Sequence, residues 1–299
     1  MGEAIDDPDL SDQTHQAARA LARVVEPIHA VAYYTPEING FRDDGFRGWW
    51  HAYMAYRPAP MGAVTASTAI AALYNFAPPM VERAIPAVWD IMSPDRVIAR
   101  RDELVSAAFD RLLADSPVQA EVAEAAELAR AACDHLPVEA RPLFASHAAL
   151  PWPTDPAMVL WHACTLLREF RGDNHNLVLA AHGVDGVECH VLMAAHGHGN
   201  QPTLEGIRGW TRDEWLAAVG RLGDRGWVAD DGSYTDAGRA ARVAIERETD
   251  ALSSAAVTTL GTADVERLIT LGGTISAFLI ESGAGAGVWP PPGVMKPDV

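Results

Sequence analysis

The chain has 299 residues, of which 49% are hydrophobic and 21% are charged, so it can bury the core of one large domain or two smaller ones. The 40 acidic and 23 basic residues give a formal net charge of -17. Because proteins bind nucleic acids and anionic lipids mainly through Lys and Arg, this composition disfavours both as partners.

The cysteines and the N-terminal segment predict where the protein resides. Cys133, Cys164 and Cys189 are widely spaced and form no CxxC motif, which disfavours a disulfide framework or a zinc site. The first residues, MGEAIDDPDLSDQ, are acidic and lack the basic and apolar regions of a secretory signal. No apolar run approaches the ~18 residues of a membrane span. We therefore expect a cytoplasmic protein without a membrane segment.

The first part of the chain shows helical spacing interrupted by proline-rich turns. Asp12 and Thr65 are residue types that favour helix N-caps, and each precedes an amphipathic or Ala-rich run. The connector before Pro78 and the run that follows it have the pattern of a helix-turn-helix. The predicted helices are residues 13–31, 48–56, 65–73 and 80–89, followed by a pair within 95–135.

The second part of the chain has the residue order of a winged helix. A helix begins at 157 after a proline-rich stretch and is expected to end near Gly172. Residues 211–226 then predict a further helix, WVADDGSYT predicts a two-stranded wing around Asp231-Gly232, and Thr235 predicts the cap of a long helix. The stretch HVLMAAHGHG at 190–199 lacks metal-ligand spacing and is predicted to be a flexible loop.

We therefore predict a mainly α fold of tandem helix-turn-helix, winged-helix-like halves, with a small β-wing in the C-terminal half. Two anchor pairs, His29 with His162 and Phe76 with Trp210, align at nearly the same offset, which favours an internal duplication. The predicted units are an N-terminal helix-turn-helix-like domain at 14–135, a proline-rich linker at 136–156, a C-terminal winged-helix-like domain at 157–280 and a flexible tail at 281–299.

Six segments spread over nearly the whole chain carry a family resemblance. They are EPIHAVAYYTPE (26–37), YRPAPMG (56–62), LYNFAPPMVERAIPAVW (73–89), LPWP (150–153), LWHACTLLREFRGDNH (160–175) and the winged segment that ends in ERETD (246–250). As a set they resemble the actinobacterial helix-turn-helix proteins of the SalK type, which are often found near natural-product genes. The resemblance implies a tandem helix-turn-helix fold and, by itself, no particular activity.

A polar cluster in and after the helix that begins at 157 holds the candidate catalytic residues. His162 and Glu169 share one face of that helix, whereas Asp173 and His175 are expected in the turn after Gly172. Because a carboxylate can orient a histidine as a general base, His162 or His175 is predicted to transfer a proton, oriented by Glu169 or Asp173. In the alternative interpretation these charges only fasten the helix end, and Asp173 caps the next helix.

The candidate ligand-binding residues are polar or aromatic and come from both halves. If the halves pack about a pseudo-twofold axis, His29 and His162 face one central cavity; otherwise each is a buried structural histidine. The aromatic residues beside Arg57 predict a pocket for a flat ligand or, equally well, a large aromatic core. The predicted ligand-binding residues are His29, Tyr33, Tyr34, Glu37, Tyr53, Arg57, Tyr74, Asn75, Arg168 and Arg171.

Three functions are compatible with these features. The acidity and the polar clusters favour a small-molecule-binding protein, or a natural-product-associated enzyme, whose pocket lies between two degenerate helix-turn-helix-like halves. A winged-helix transcriptional regulator is the alternative, although residues 211–226 and the wing carry no net positive charge. In a third hypothesis the chain is a helical scaffold and the winged segment is a homodimer surface. The sequence predicts no metal site and leaves the cofactor unknown.

Overall fold

The computed structural model describes residues 8–197 and 199–284, and helices dominate both ranges. The helices of the first part are α1 Pro8–His29, α2 Val31–Tyr34, α3 Gly40–Asp43, α4 Trp49–Tyr56, α5 Ala66–Leu73, α6 Pro78–Glu82, α7 Val88–Ile91, α8 Pro94–Leu113, α9 Gln119–Ala132 and α10 Pro142–Ala148. Those of the second part are α11 Pro156–Ala181, α12 Gly186–Ala195, α13 Gln201–Arg208, α14 Arg212–Asp224, α15 Asp236–Ser253, α16 Ala255–Leu260 and α17 Thr262–Glu281. Short 3-10 helices lie at Pro36–Asn39 and Ala59–Met61.

The mainly helical prediction is confirmed, and two of the predicted helix caps are present. The Thr65 hydroxyl accepts a hydrogen bond from the Thr68 amide at 3.3 Å, and the Thr235 hydroxyl accepts one from the Gly238 amide at 3.0 Å. Each hydroxyl thereby satisfies an amide that has no partner within its helix. The predicted Asp12 cap is wrong, because α1 already begins at Pro8.

Three predicted boundaries are wrong for identifiable reasons. The helix expected at 80–89 is divided into α6 and α7, because Pro86 has no amide hydrogen to continue a helix. The expected loop at 190–199 begins as helix, since α12 runs to Ala195; His198 lies outside the described residues. The helix expected to end near Gly172 continues to Ala181, and burial of its last turns outweighs the roughly 1 kcal/mol cost of an internal glycine.

The predicted β-wing is not present as a pair of strands. The described residues of this segment form only an isolated antiparallel bridge between Val228 and Tyr234. Two backbone hydrogen bonds join its arms, from the Ala229 amide to the Ser233 carbonyl at 2.9 Å and from the Thr235 amide to the Trp227 carbonyl at 3.1 Å. The turn at Asp231-Gly232 is where the sequence predicts it, since Gly232 has a φ of 80°. The residues on either side of the turn do not form longer strands. A two-stranded hairpin without further strands is only marginally stable in water.

Helix α11 is the centre of the fold. Its 26 residues extend roughly 39 Å, and it packs against α1, α8, α9, α10 and α15. Asp155 caps it by accepting from the Met158 amide at 3.1 Å, and Pro156 occupies the first turn, where a missing amide hydrogen costs nothing. Side chains from both parts of the chain therefore meet along one rigid element.

Two hydrophobic clusters contain most of the buried apolar residues. The first core joins helices α1 to α10 with α11 as far as Phe170, and α17 returns to it by packing on α1 and α9. The second core extends from Val178 to Ile245 and holds α12, α13, α14 and part of α15. The two clusters meet inside α11, whereas the predicted linker at 136–156 contains α10, which packs on α11. Of the predicted tail, residues 285–299 lie outside the described ranges.

Candidate functional site

A buried ion pair joins α4 to α11 at the middle of the first core. The Arg57 guanidinium donates to both carboxylate oxygens of Glu169 at 3.0 Å, and it also donates to the Tyr53 hydroxyl at 2.8 Å. Arg168 donates to the same carboxylate at 3.0 Å. Burial alone would raise the pKa of Glu169, but Arg57 and Arg168 outweigh it and hold that pKa well below its ordinary value. Glu169 is therefore charged, and both of its carboxylate oxygens accept hydrogen bonds from arginine side chains.

His29, at the end of α1, contacts α11 through one ring nitrogen and α2 through the other. Its Nδ1 lies 3.0 Å from the Thr165 hydroxyl and its Nε2 lies 2.7 Å from the Tyr33 hydroxyl. The indole of Trp161 donates to the His29 carbonyl at 3.2 Å. Burial, assisted by the positive charge of Arg168, holds the pKa of His29 well below its ordinary value. The ring is therefore neutral, and its hydrogen-bonding capacity is used within the protein.

His162, which precedes Thr165 by about one helical turn of α11, makes different contacts. It is 3% exposed, its ring packs perpendicular to Trp152 at 4.8 Å between centroids, and its Nε2 has no partner among the described residues. Burial and the nearby His147 lower the pKa of His162 to about 3. His147 is itself buried in α10, and the sequence analysis did not single it out. Among the described residues, no hydrogen bond joins Glu169 to His162.

Asp173 and His175 lie inside α11, not in a turn after it, and they face different neighbours. Asp173 accepts from the Phe144 amide of α10 at 2.9 Å, and burial raises the pKa of Asp173 to about 6. His175 Nδ1 lies 3.0 Å from the Thr249 hydroxyl of α15, and burial lowers the pKa of His175 to about 4. Each of the two side chains therefore connects α11 to a different helix, and they do not form an acid–base pair.

Arg171 takes part in an ion-pair network between α11, α15 and α1. Its guanidinium lies 3.3 Å from Glu246 and 2.7 Å from Asp250, and Arg19 of α1 donates to Asp250 at 2.9 Å. Arg171 also lines a shallow cleft of about 270 Å³, counted with its part open to solvent. Glu37 is elsewhere, paired with Arg111 of α8. The predicted ligand-binding residues are therefore distributed over several sites.

The remaining predicted residues belong to an aromatic cluster and to a contact between the two cores. Tyr34 stacks on Trp49 at 6.1 Å, within a group that also holds Tyr33, Tyr53 and Tyr56.

The contact with the second core is made by residues 74–77. The Asn75 carbonyl accepts from the His190 ring and the Trp210 indole, each at 3.0 Å, and the Tyr74 hydroxyl donates to the Val184 carbonyl at 2.5 Å. Tyr74 and Asn75 therefore connect the cores, and the buried His190 is a contact residue that the sequence did not indicate.

Helices α13 and α14 follow each other in the second core across a short turn. Gly209 ends α13 with a left-handed φ of 79°, and Thr211 and Glu214 form a reciprocal capping box at the start of α14. A Cβ at Gly209 would lie 2.8 Å from the Met80 Cβ, so the turn is held closely against the first core.

One face of α14 is buried and the opposite face is exposed. The buried face presents Trp215, Ala218 and Leu222 to the second core, whereas Leu216 on the other side is 51% exposed. The arginines of this region contact groups of the same chain. Arg212 lies 3.7 Å from Glu205, Arg221 lies 2.6 Å from Asp185 and 2.7 Å from Glu188, and Arg225 donates to the His182 carbonyl at 2.7 Å.

Two narrow clefts of the described residues are lined by other groups than His29 and His162, so neither of them is the predicted central cavity. Within 8–197 and 199–284, no group of three or more His, Cys, Asp or Glu residues is placed to hold a metal ion. No single helix of these ranges has both the length and the apolarity to cross a bilayer.

Comparison with known proteins relates the whole architecture to one family. No curated protein and no solved structure matches the chain. The sequence model of the Helix-turn-helix family matches residues 18–286, which include both cores and all of the helices after α1. The protein therefore belongs to the Helix-turn-helix family.

Proposed function

We propose that the protein is a cytoplasmic, winged-helix-like transcriptional regulator of the SalK type that binds DNA through α14 and the hairpin turn that follows it. The family supports this proposal, and the observation that carries it is the exposed face of α14. In helix-turn-helix proteins the second helix of the motif enters the major groove. Here α14 is that helix, because α13 precedes it across the turn that begins at Gly209.

The exposed face of α14 has a shape suited to a groove. Ala217 and Gly220 are exposed and small, so the helix backbone can approach base edges closely. Arg212 and Arg221 lie near the two ends of the helix, with side-chain exposures of 59% and 46%. Guanidinium groups at these positions can contact phosphates or guanines on either side of the inserted helix.

The acidic composition sets the kind of DNA binding to expect. Arg212 and Arg221 are themselves exposed in their pairs with Glu205 and Asp185, and exposed pairs are worth only about 0–1 kcal/mol, so a phosphate can replace either acid at small cost. Arg221 also pairs with the buried Glu188 at 2.7 Å, so Arg212 is the more readily available of the two arginines. A net charge of -17 still repels DNA at long range. We therefore expect weak non-specific binding, and selective binding that falls steeply as salt increases.

Selection of duplexes from a random-sequence library, followed by fluorescence anisotropy with the recovered duplex, tests this function. Arg212→Gln should weaken binding about 10-fold and lower the salt dependence by about one phosphate contact. The matched control is Arg267→Gln on α17, which breaks an exposed pair with Glu124 of α9, away from α14. Failure to recover any duplex, or equal losses in the two variants, would exclude DNA binding by α14.

A further inference from the structure

Three exposed arginines come together on the surface of the first core. We call them the arginine patch; they are Arg42 of α3, Arg47 in the loop before α4 and Arg83 at the end of α6. The Arg47 guanidinium donates to the Arg83 carbonyl at 3.4 Å. The Arg42 guanidinium lies 3.9 Å from the position that a Cβ of Gly48, the residue after Arg47, would take. The fold therefore brings three separate segments, each with an arginine, to one place.

The arginine patch has no acidic counterpart within the described ranges, although the chain has 40 acidic and only 23 basic residues. Asp44 lies between Arg42 and Arg47 in the sequence, but its carboxylate pairs with Arg100 of α8 at 2.7 Å. No acid of residues 8–197 and 199–284 is within ion-pair distance of the three patch guanidinium groups. Because like charges repel, cations held together without acids indicate a surface that takes its counter-charge from a binding partner.

The arginine patch lies beside the turn that leads into α14. The Ala77 amide, at the start of α6, donates to the Arg208 carbonyl at the end of α13 at 2.9 Å. A Cβ at Gly209 would lie 2.8 Å from the Met80 Cβ. Arg83 follows Met80 by about one turn of α6, and Cβ atoms at that spacing are roughly 5–6 Å apart. The Arg83 Cβ is therefore within roughly 9 Å of the turn at Gly209.

We propose that the arginine patch binds phosphates of the same DNA duplex whose major groove α14 enters; this inference rests on the proposed function. When a recognition helix lies in the major groove, neighbouring elements of the protein contact the sugar–phosphate backbone beside it. A duplex carries one negative charge per roughly 1.7 Å of its axis, so cations close to the turn meet several phosphates. The first core is then a second DNA-contacting surface, which adds affinity without sequence preference.

The arginine patch supplies positive charge that the α14 surface lacks. Helix α14 contains Arg212 and Arg221 together with Asp213, Glu214 and Asp224, so its own charges do not favour phosphate binding. Both of its arginines are also paired with acids of the chain. The patch guanidinium groups break no ion pair when they bind a phosphate, because they have none among the described residues. They are therefore the cations of this region that bind phosphate at the smallest cost.

Salt titration of DNA binding tests this inference, with the duplex recovered by selection and a scrambled duplex of the same length. The double variant Arg47→Gln, Arg83→Gln should weaken binding of both duplexes by the same factor, about 10- to 50-fold at roughly 0.1 M salt. Its salt dependence should fall by about two phosphate contacts. The matched control Arg130→Gln, Arg267→Gln removes the same charge from α9 and α17, which hold no patch residue, and should keep the salt dependence of the unmodified chain.

Hydroxyl-radical footprinting of the same complexes locates the contact on the duplex. The unmodified chain should protect a stretch of backbone beside the groove that α14 occupies. The double variant should lose that protection and keep the protection around α14, and circular dichroism establishes that each variant is folded.

Two results would overturn the inference: a salt dependence of the double variant equal to that of its control, or an unchanged footprint. If Arg212→Gln still weakens binding in that case, the DNA-binding function stands and only the arginine patch is excluded. If no duplex is recovered, or if Arg212→Gln has no more effect than its control, both proposals fail. The two failures are therefore distinguishable.

Discussion

The two cores use the same chemistry, an arginine paired with an acid, in opposite surroundings. The side chains of Arg57 and Glu169 are 9% and 1% exposed in the first core, whereas those of Arg221 and Asp185 in the second are 46% and 52% exposed. A buried charge that loses its partner has no water to replace it, whereas an exposed charge does. The buried pair is therefore costly to break, whereas Arg221 can exchange Asp185 for another anion at small cost.

The largest expected effect comes from breaking the buried Arg57–Glu169 pair. Glu169→Gln leaves Arg57 and Arg168 in the core without their shared carboxylate and should lower the free energy of unfolding by about 3–5 kcal/mol. Arg212→Gln, which breaks an exposed pair, should change it by less than about 0.5 kcal/mol. Urea unfolding followed by circular dichroism measures both. A loss below about 1 kcal/mol in Glu169→Gln would mean that the buried pair is no more costly to break than the exposed one.

The next effect is a loss of stability in acid. The folded pKa values of His162 and His175 are about 3 and about 4, below the ordinary 6.5, so these groups bind protons in the unfolded chain first. Their contribution is fully present above pH 6.5 and is lost as the pH falls towards 4, at up to about 1.4 kcal/mol per pH unit for each histidine. Asp173 acts in the opposite direction, because its raised pKa of about 6 contributes stability that is lost as the pH rises through 6.

Urea unfolding between pH 7 and 4.5 separates these contributions. His162→Phe should flatten the decline by about 2–3 kcal/mol over that range, because it removes one proton-binding group of the unfolded chain. Asp173→Asn should make the decline steeper. Parallel curves for His162→Phe and the unmodified chain would show that His162 is not buried in its neutral form.

A smaller effect concerns the contact between the cores. Gly209 and Gly226 are both left-handed, with φ of 79° and 69°, but only Gly209 has a close neighbour, the Met80 side chain. Gly226→Ala should cost about 1 kcal/mol from backbone strain alone, and Gly209→Ala about 2 kcal/mol or more. Thermal unfolding compares the two variants. Equal losses would indicate that the turn between α13 and α14 does not press on the first core.

The smallest effect distinguishes two tyrosines of the first core. Tyr33→Phe leaves His29 Nε2 without its partner and should cost about 1 kcal/mol, whereas Tyr56→Phe removes a hydroxyl that has no partner and should be neutral or stabilising. Urea unfolding measures both, and the matched chemistry makes each variant the control of the other. A loss in Tyr56→Phe equal to that in Tyr33→Phe would show that its hydroxyl is hydrogen-bonded after all.

Local patterns in the sequence were sufficient for part of the fold. The caps at Thr65 and Thr235 were predicted correctly because a cap involves a side chain and an amide only three residues apart. The end of α11 was not, because Gly172 is a weak local signal and the helix is extended by burial of Val178 and Leu179 in the second core. The wing was overestimated, since a turn sequence does not indicate how far the strands beside it pair.

The candidate site was predicted as residue types and not as an arrangement. Glu169 was predicted as a carboxylate that orients a histidine, but its partner is Arg57, which lies 112 residues away, and no local pattern connects the two. His162 and His175 were placed with carboxylates that they do not contact. Helical spacing indicates which side chains share a face, whereas the neighbour that covers each face is decided by packing.

The sequence by itself determined the helical character, the caps at Thr65 and Thr235 and the acidic composition, because these follow from neighbouring residues and from residue counts. Only the tertiary structure decided that α11 serves both cores and that Asp173 and His175 face different helices. It also decided that Tyr56 has a hydroxyl without a partner. The physical reason is that burial and hydrogen bonding between distant segments depend on how whole helices pack, which short-range spacing does not specify.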